Sequence, residues 1–125
     1  MLIYIILYYN MSTAKIYKIE CLSTPYVYIN ATTKTYLSER FTYYRSEYKR
    51  YSKSKLNVQE HNNYIKIKVD FGNEGLIKLF KLFDVYGVKA FKIILINDIC
   101  HKSTDDLKAQ LHEYIKQNDC INKNV

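Results

Sequence analysis

The spacing of apolar side chains shifts along this chain, and each change of period marks an element. Residues 15–20 (KIYKIE) and 26–30 (YVYIN) are rich in strand formers, and the STP at 23–25 supplies turn chemistry, so an antiparallel hairpin is predicted. From Leu37 the period becomes helical: Leu37, Phe41, Tyr44 and Tyr48 fall at i, i+4, i+7 and i+11, with Thr35 or Tyr36 ahead of the first turn and an end near Tyr51. Residues 52–63 read as loop. The YIKIKV at 64–69 alternates apolar residues with Lys, as a half-exposed strand does. A second helix fits 74–85, where Leu76, Leu79, Phe80 and Phe83 share a face and Gly87 stands just past the end. The AFKIILI at 90–96 is short and rich in β-branched residues, which predicts a buried central strand. Ser103 or Thr104 then caps a last helix, with Asp105 and Asp106 in its first turn and Leu107, Leu111, Tyr114 and Ile115 on its apolar face.

This order predicts an α/β fold: a small antiparallel or mixed sheet, made of the N-terminal hairpin plus a central strand, flanked by about three helices. With 125 residues, 48% hydrophobic and 25% charged, the chain is one ordinary globular domain, and 1 Pro with 3 Gly excludes a low-complexity linker. Residues 1–10 (MLIYIILYYN) are apolar but far short of the ~20 needed to cross a bilayer. They also lack the basic leader and cleavage site of a secretory signal. Residues 1–14 are therefore read as an N-terminal extension, either an extra edge strand or read-through from an upstream start. No membrane partner is expected, and an intracellular location, cytoplasm or nucleus, is the expectation. Three cysteines, Cys21, Cys100 and Cys120, show no C-x-x-C spacing, so they point to a reducing compartment. Cys100, His101, His112 and Cys120 lack zinc half-site spacing and read as small hydrophobes and ordinary polar residues.

Charge sharpens the functional picture. The net charge of +7 suits a polyanionic partner such as nucleic acid, and it is concentrated. Between Lys34 and Lys55 seven basic residues face two acidic ones, and all three arginines of the chain, Arg40, Arg45 and Arg50, lie there although lysines number sixteen. A guanidinium grips phosphate oxygens at two points, and Tyr43, Tyr44, Tyr48 and Tyr51 interleave with these charges as in surfaces that stack bases while tracking a backbone. For Arg45 and Arg50 a solvated amphipathic face is an equal reading.

Taken together, KIY at 15–17, YIN at 28–30, TTKTYLSER at 32–40, YG at 86–87 and the ending EYI at 113–115 with CINK at 120–123 resemble the GIY-YIG nuclease family, in the form found in large DNA viruses. The resemblance runs from Lys15 to Lys123, so that 15–125 form the domain and 56–72 resemble an insertion. It implies metal-assisted hydrolysis of a DNA phosphodiester, with Mg²⁺ or Mn²⁺ as cofactor. Tyr17 then helps deprotonate the attacking water, Tyr28 lies beside it, Arg40 holds the scissile phosphate and Tyr44 shares the helix face one turn on. Lys34, Arg45, Lys49 and Arg50 form the wider nucleic-acid surface, and Asn122 supports the site. A lone domain of this kind would need a partner protein to recognise a long specific target.

Three positions depart from the family pattern. Lys15 replaces the first glycine. Asn30 replaces the second, adding bulk beside the phosphate path, although Asn tolerates left-handed backbone. Where the family has its metal-binding Glu stands Leu111, which cannot ligate a hard cation. Glu113 lies about 200° farther round the helix and does not substitute. The alternative expectation is therefore a degenerate relative, a nucleic-acid-binding or interaction module that needs no metal.

Overall fold

The computed structural model describes residues 12–122. Three antiparallel strands form one sheet in the order β2-β1-β3, with β1 at Ser12–Cys21, β2 at Tyr28–Thr32 and β3 at Phe91–His101. Four helices accompany it: α1 at Leu37–Ser54, α2 at Val58–Asp70, α3 at Glu74–Tyr86 and α4 at Thr104–Gln117. The fold is α/β, and the sheet is antiparallel throughout. No helix among the described residues is long and apolar enough to cross a membrane.

The hairpin, both predicted central helices and the capped last helix form where their periods place them. In α1 the stripe of Leu37, Phe41, Tyr44, Tyr48 and Tyr51 faces a core completed by Leu76, Leu79, Phe80 and Phe83 of α3. Gly87 follows α3 at φ 83°, a conformation that costs glycine least. Ser103 caps α4, its hydroxyl accepting from the Asp106 N–H at 3.1 Å.

Other expectations give way. The segment predicted as loop and strand, 52–69, is the end of α1 followed by α2, which also fills most of the span 56–72. Asn57 nucleates α2, its side chain accepting from the N–H groups of Gln59 and Glu60. Gly72 at φ 78° closes it, with the Asn73 N–H reaching the Lys68 carbonyl at 2.8 Å and the Gly72 N–H the Val69 carbonyl at 3.0 Å. The helix is held to α1 by buried Glu47, which pairs with Lys68 and accepts from the Tyr64 hydroxyl, both at 3.2 Å. Asp84 ties α3 to α1, binding Lys55 and accepting from Tyr48 at 2.6 Å.

Among the described residues, the strand predicted to be central and buried instead stands at the end of the strand order, beside β1. Leu95 and Ile96 of β3 are 43% and 38% exposed. The central strand is β1, which is covered on both faces: Tyr17, Ile19 and Cys21 point into the main core, Ala14 and Ile16 away from it. It begins at Ser12, inside the span read as an extension. The proposed additional strand at 1–10 lies outside the described residues. A β-bulge lies next to Tyr17: Ile16 faces Asn97 while Tyr17 faces Leu95, leaving Ile96 of β3 as the extra residue.

Candidate functional site

Tyr17 and Asn30 are direct cross-strand neighbours of β1 and β2, and one turn of α1 lays Arg40 and Tyr44 over them. The Arg40 Nε–H donates to the Tyr17 hydroxyl at 3.1 Å, and the Tyr17 and Tyr44 hydroxyls are hydrogen-bonded to each other. Arg40 offers only donors, so the Tyr17 oxygen accepts from it, and either hydroxyl of the Tyr17–Tyr44 pair can donate to the other. Asn30 joins the group from below: its Nδ2 donates to the hydroxyls of Tyr28 at 3.0 Å and Tyr44 at 3.4 Å, while its Oδ1 accepts from the Ala31 N–H at 2.8 Å. The Tyr28 and Tyr44 rings meet edge to face at 5.8 Å. The four residues singled out as catalytic, Tyr17, Tyr28, Arg40 and Tyr44, thus form one connected cluster.

Their electrostatics do not suit every expected role. Tyr17 is fully enclosed, and burial, reinforced by Tyr44, pushes its hydroxyl well above the usual phenol range despite Arg40. A neutral phenol with both sides engaged and no exposed surface is not placed to deprotonate water in this conformation; what Tyr17 does is hold Arg40. Tyr28 is raised for the same leading reason, with Asn30 and Arg40 opposing. Asn30 adopts no left-handed backbone, so φ does not call for a glycine at this position; its side chain pins two phenols.

Arg40 is half-buried, where Tyr17, Tyr28 and Tyr44 are buried. Its guanidinium carbon lies 4.3 Å from the centre of the Tyr43 ring and 5.0 Å from that of Tyr44, and among the described residues no carboxylate pairs with it. Burial works against its charge, but Tyr44 and Tyr17 more than offset this and keep it a cation. It is a stacked, anchored, half-buried cation.

The wider basic set does not share this face. At about 100° per residue, Arg45 and Lys49 lie about 140° and 180° round α1 from Arg40. Arg45 stacks on Phe41 at 5.1 Å, and Arg50, its side chain 77% exposed, pairs with Glu47 at 3.5 Å. Lys34 sits beyond β2, beside a smaller cavity bordered by Lys15 and Asp98. Asn122 is no free phosphate donor: its Oδ1 accepts from the Ile29 N–H at 2.8 Å and its Nδ2 donates to the Ile29 carbonyl at 2.7 Å, clasping the outer edge of β2.

A cavity of about 370 Å³ opens on the far side of Tyr28, between β2, the start of α3 and α4. Tyr28, Asn30, Gly75, Lys108, Leu111 and Asn122 are among its walls. Gly75 lets the clasp approach closely: a Cβ there would lie 3.2 Å from the Asn122 Cα, tighter than ordinary contact. Leu111 indeed faces this space, and Glu113 is not among its lining residues. The lining contains no carboxylate, and among the described residues no three His, Cys, Asp or Glu side chains gather to hold an ion. A hard divalent cation needs several oxygen ligands, preferably anionic, and this donor set does not fit Mg²⁺ or Mn²⁺. Lys108 escapes a sequence reading because a lysine on an amphipathic helix looks solvated; its spacing of three from Leu111 was the available signal. Comparison with protein-family models, curated proteins and solved structures finds no match to this chain.

Proposed function

We propose that this protein is a GIY-YIG-like domain that binds nucleic acid through its phosphates and no longer performs metal-assisted hydrolysis. The observation that carries this reading is the pairing of an acid-free, aromatic-stacked Arg40 with a neighbouring cavity that offers a cation no carboxylate. Binding phosphate requires fixed positive charge, which Arg40 supplies. Breaking a phosphodiester also requires an activated nucleophile and a way to offset the charge that develops, commonly a metal together with Arg. The enclosed, neutral Tyr17 and the leucine at position 111 remove two of those means. One observation favours the second reading, cleavage of DNA: the convergence of Tyr17, Tyr28, Arg40 and Tyr44 in a single hydrogen-bonded group.

Incubation of the purified protein with supercoiled plasmid and Mg²⁺ or Mn²⁺, beside Arg40→Ala and Leu111→Glu variants, separates the two. The expected result is no nicking by the parent, with DNA affinity that falls steeply with salt and drops about tenfold in Arg40→Ala. Nicking by the parent that Arg40→Ala abolishes would establish the second reading. Affinity indifferent to salt, or no binding at low salt, would sink the nucleic-acid assignment altogether.

A further inference from the structure

The cavity behind Tyr28 has a chemistry of its own. Eleven residues line it, and they carry one formal charge, the ammonium of Lys108. Lys108, Leu111 and Ile115 fall at i, i+3 and i+7, so the lysine occupies the cleft-facing stripe of α4 where an apolar residue would otherwise stand. No ion pair engages it among the described residues: Asp105, one turn earlier, makes none, and Asp106 instead accepts from the Lys102 N–H at 2.8 Å. Beside it, Asn122 Nδ2 carries two protons and spends one on Ile29. Ile29, Leu76, Leu111 and Ile115 form the apolar part of an otherwise polar lining, and the exposed Lys108 stands at its rim, where an incoming anion meets it first. At about 370 Å³ it falls within the size range of small-ligand sites.

We infer that this cavity is a phosphate site whose cation is Lys108, so that the protein's own ammonium, rather than a divalent metal, neutralises the bound group. A lysine head is a compact point charge with three donors, suited to a single tetrahedral anion where bidentate geometry is not needed. The inference rests on the proposed function only in taking that phosphate to belong to a nucleic-acid backbone. Arg40 and Lys108 then flank the tyrosine cluster from two sides and contact separate phosphates.

The test uses isotope-labelled full-length protein in EDTA at fixed ionic strength, titrated with inorganic phosphate while backbone amides are followed by NMR. The amides of Asn30, Gly75, Leu111 and Asn122 should shift along one saturable curve. Lys108→Ala should lose that response at least fivefold, Lys108→Arg should retain it, and Lys92→Ala, on β3 two strands from the cavity, should leave it unchanged. In parallel, the salt slope of binding to a short labelled DNA duplex should fall by about 0.9 in Lys108→Ala, one phosphate's worth of released counterion. Cleft amides that ignore phosphate, or respond equally in Lys108→Ala, overturn the inference, as does tighter phosphate binding when Mg²⁺ is added at constant ionic strength. If Arg40→Ala weakens DNA binding and Lys108→Ala does not, the proposed function stands and this site does not. If phosphate occupies the cleft through Lys108 while DNA does not bind, the site stands and the proposed function falls.

Discussion

Asn122→Ala removes a side chain that acts as backbone. In the parent its amide gives Ile29 both an acceptor and a donor, at 2.8 and 2.7 Å, and Ile29 is only 3% exposed, so water cannot replace either bond without opening the edge of β2. Each bond contributes about 1 kcal/mol net, and a buried group left unpaired costs about 1–3 kcal/mol, which puts the loss at about 2 kcal/mol and up to about 4 if the edge stays dry. For 125 residues, an unfolding entropy of about 2.1 cal/mol/K per residue converts 2 kcal/mol to a fall in Tm of about 8 °C. Urea titration should show the midpoint falling with the slope unchanged. Asn122→Asp refines the test: its carboxylate can still accept from the Ile29 N–H but sets a second oxygen against the Ile29 carbonyl. That geometry favours the protonated acid in the folded state, so this variant should approach the parent as pH falls. A loss below about 0.5 kcal/mol in Asn122→Ala, or an Asp variant as stable as the parent at pH 7, would refute the clasp.

Two further outcomes follow from ionisation. Burial favours the neutral form of Asp84, but Lys55, Tyr48 and Tyr51 outweigh it and hold the carboxyl below its ordinary range. The resulting stabilisation is present above the usual carboxylate value of about 3.9 and is lost as pH falls through the lower folded value; Asp84→Asn should cost about 1 kcal/mol at pH 7, with the two denaturation midpoints converging as the pH drops below the ordinary carboxylate range. Tyr17 is raised in the folded state, so its contribution is complete below the ordinary phenol value near ~10 and lost above it. In a 295 nm titration Tyr17 and Tyr28 should ionise only with unfolding, and Tyr17→Phe should flatten the alkaline fall in stability; early ionisation of either residue in folded protein would contradict their enclosure.

Local patterns sufficed where one face of an element meets one core. The stripe from Leu37 to Tyr51 and the Leu76–Phe83 face were readable because period and burial agree. The α2 segment was not, since YIKIKV satisfies a period of two while Tyr64, Ile65 and Lys68 satisfy the helical one, and Ile67 and Val69 point to solvent. The better signal lay upstream, in Asn57 followed three residues later by Glu60. Strand order was illegible for a different reason: whether β1 or β3 is central depends on pairing between residues some 80 positions apart, and β-branched composition does not encode it. The juxtaposition of Tyr17 and Arg40 was legible only through the motif resemblance. Lys108 required the assembled cleft.

The clasp joins positions 93 residues apart, which sets an order on biosynthesis. Val27 and Ile29 leave the ribosome at least 93 residues before the groups that cover them, the Ile121 N–H on the Val27 carbonyl and the Asn122 amide on Ile29. Throughout that interval the nascent chain displays an open strand margin able to recruit any extended peptide nearby, so the clasp, once residue 122 is made, closes an edge that would otherwise invite aggregation.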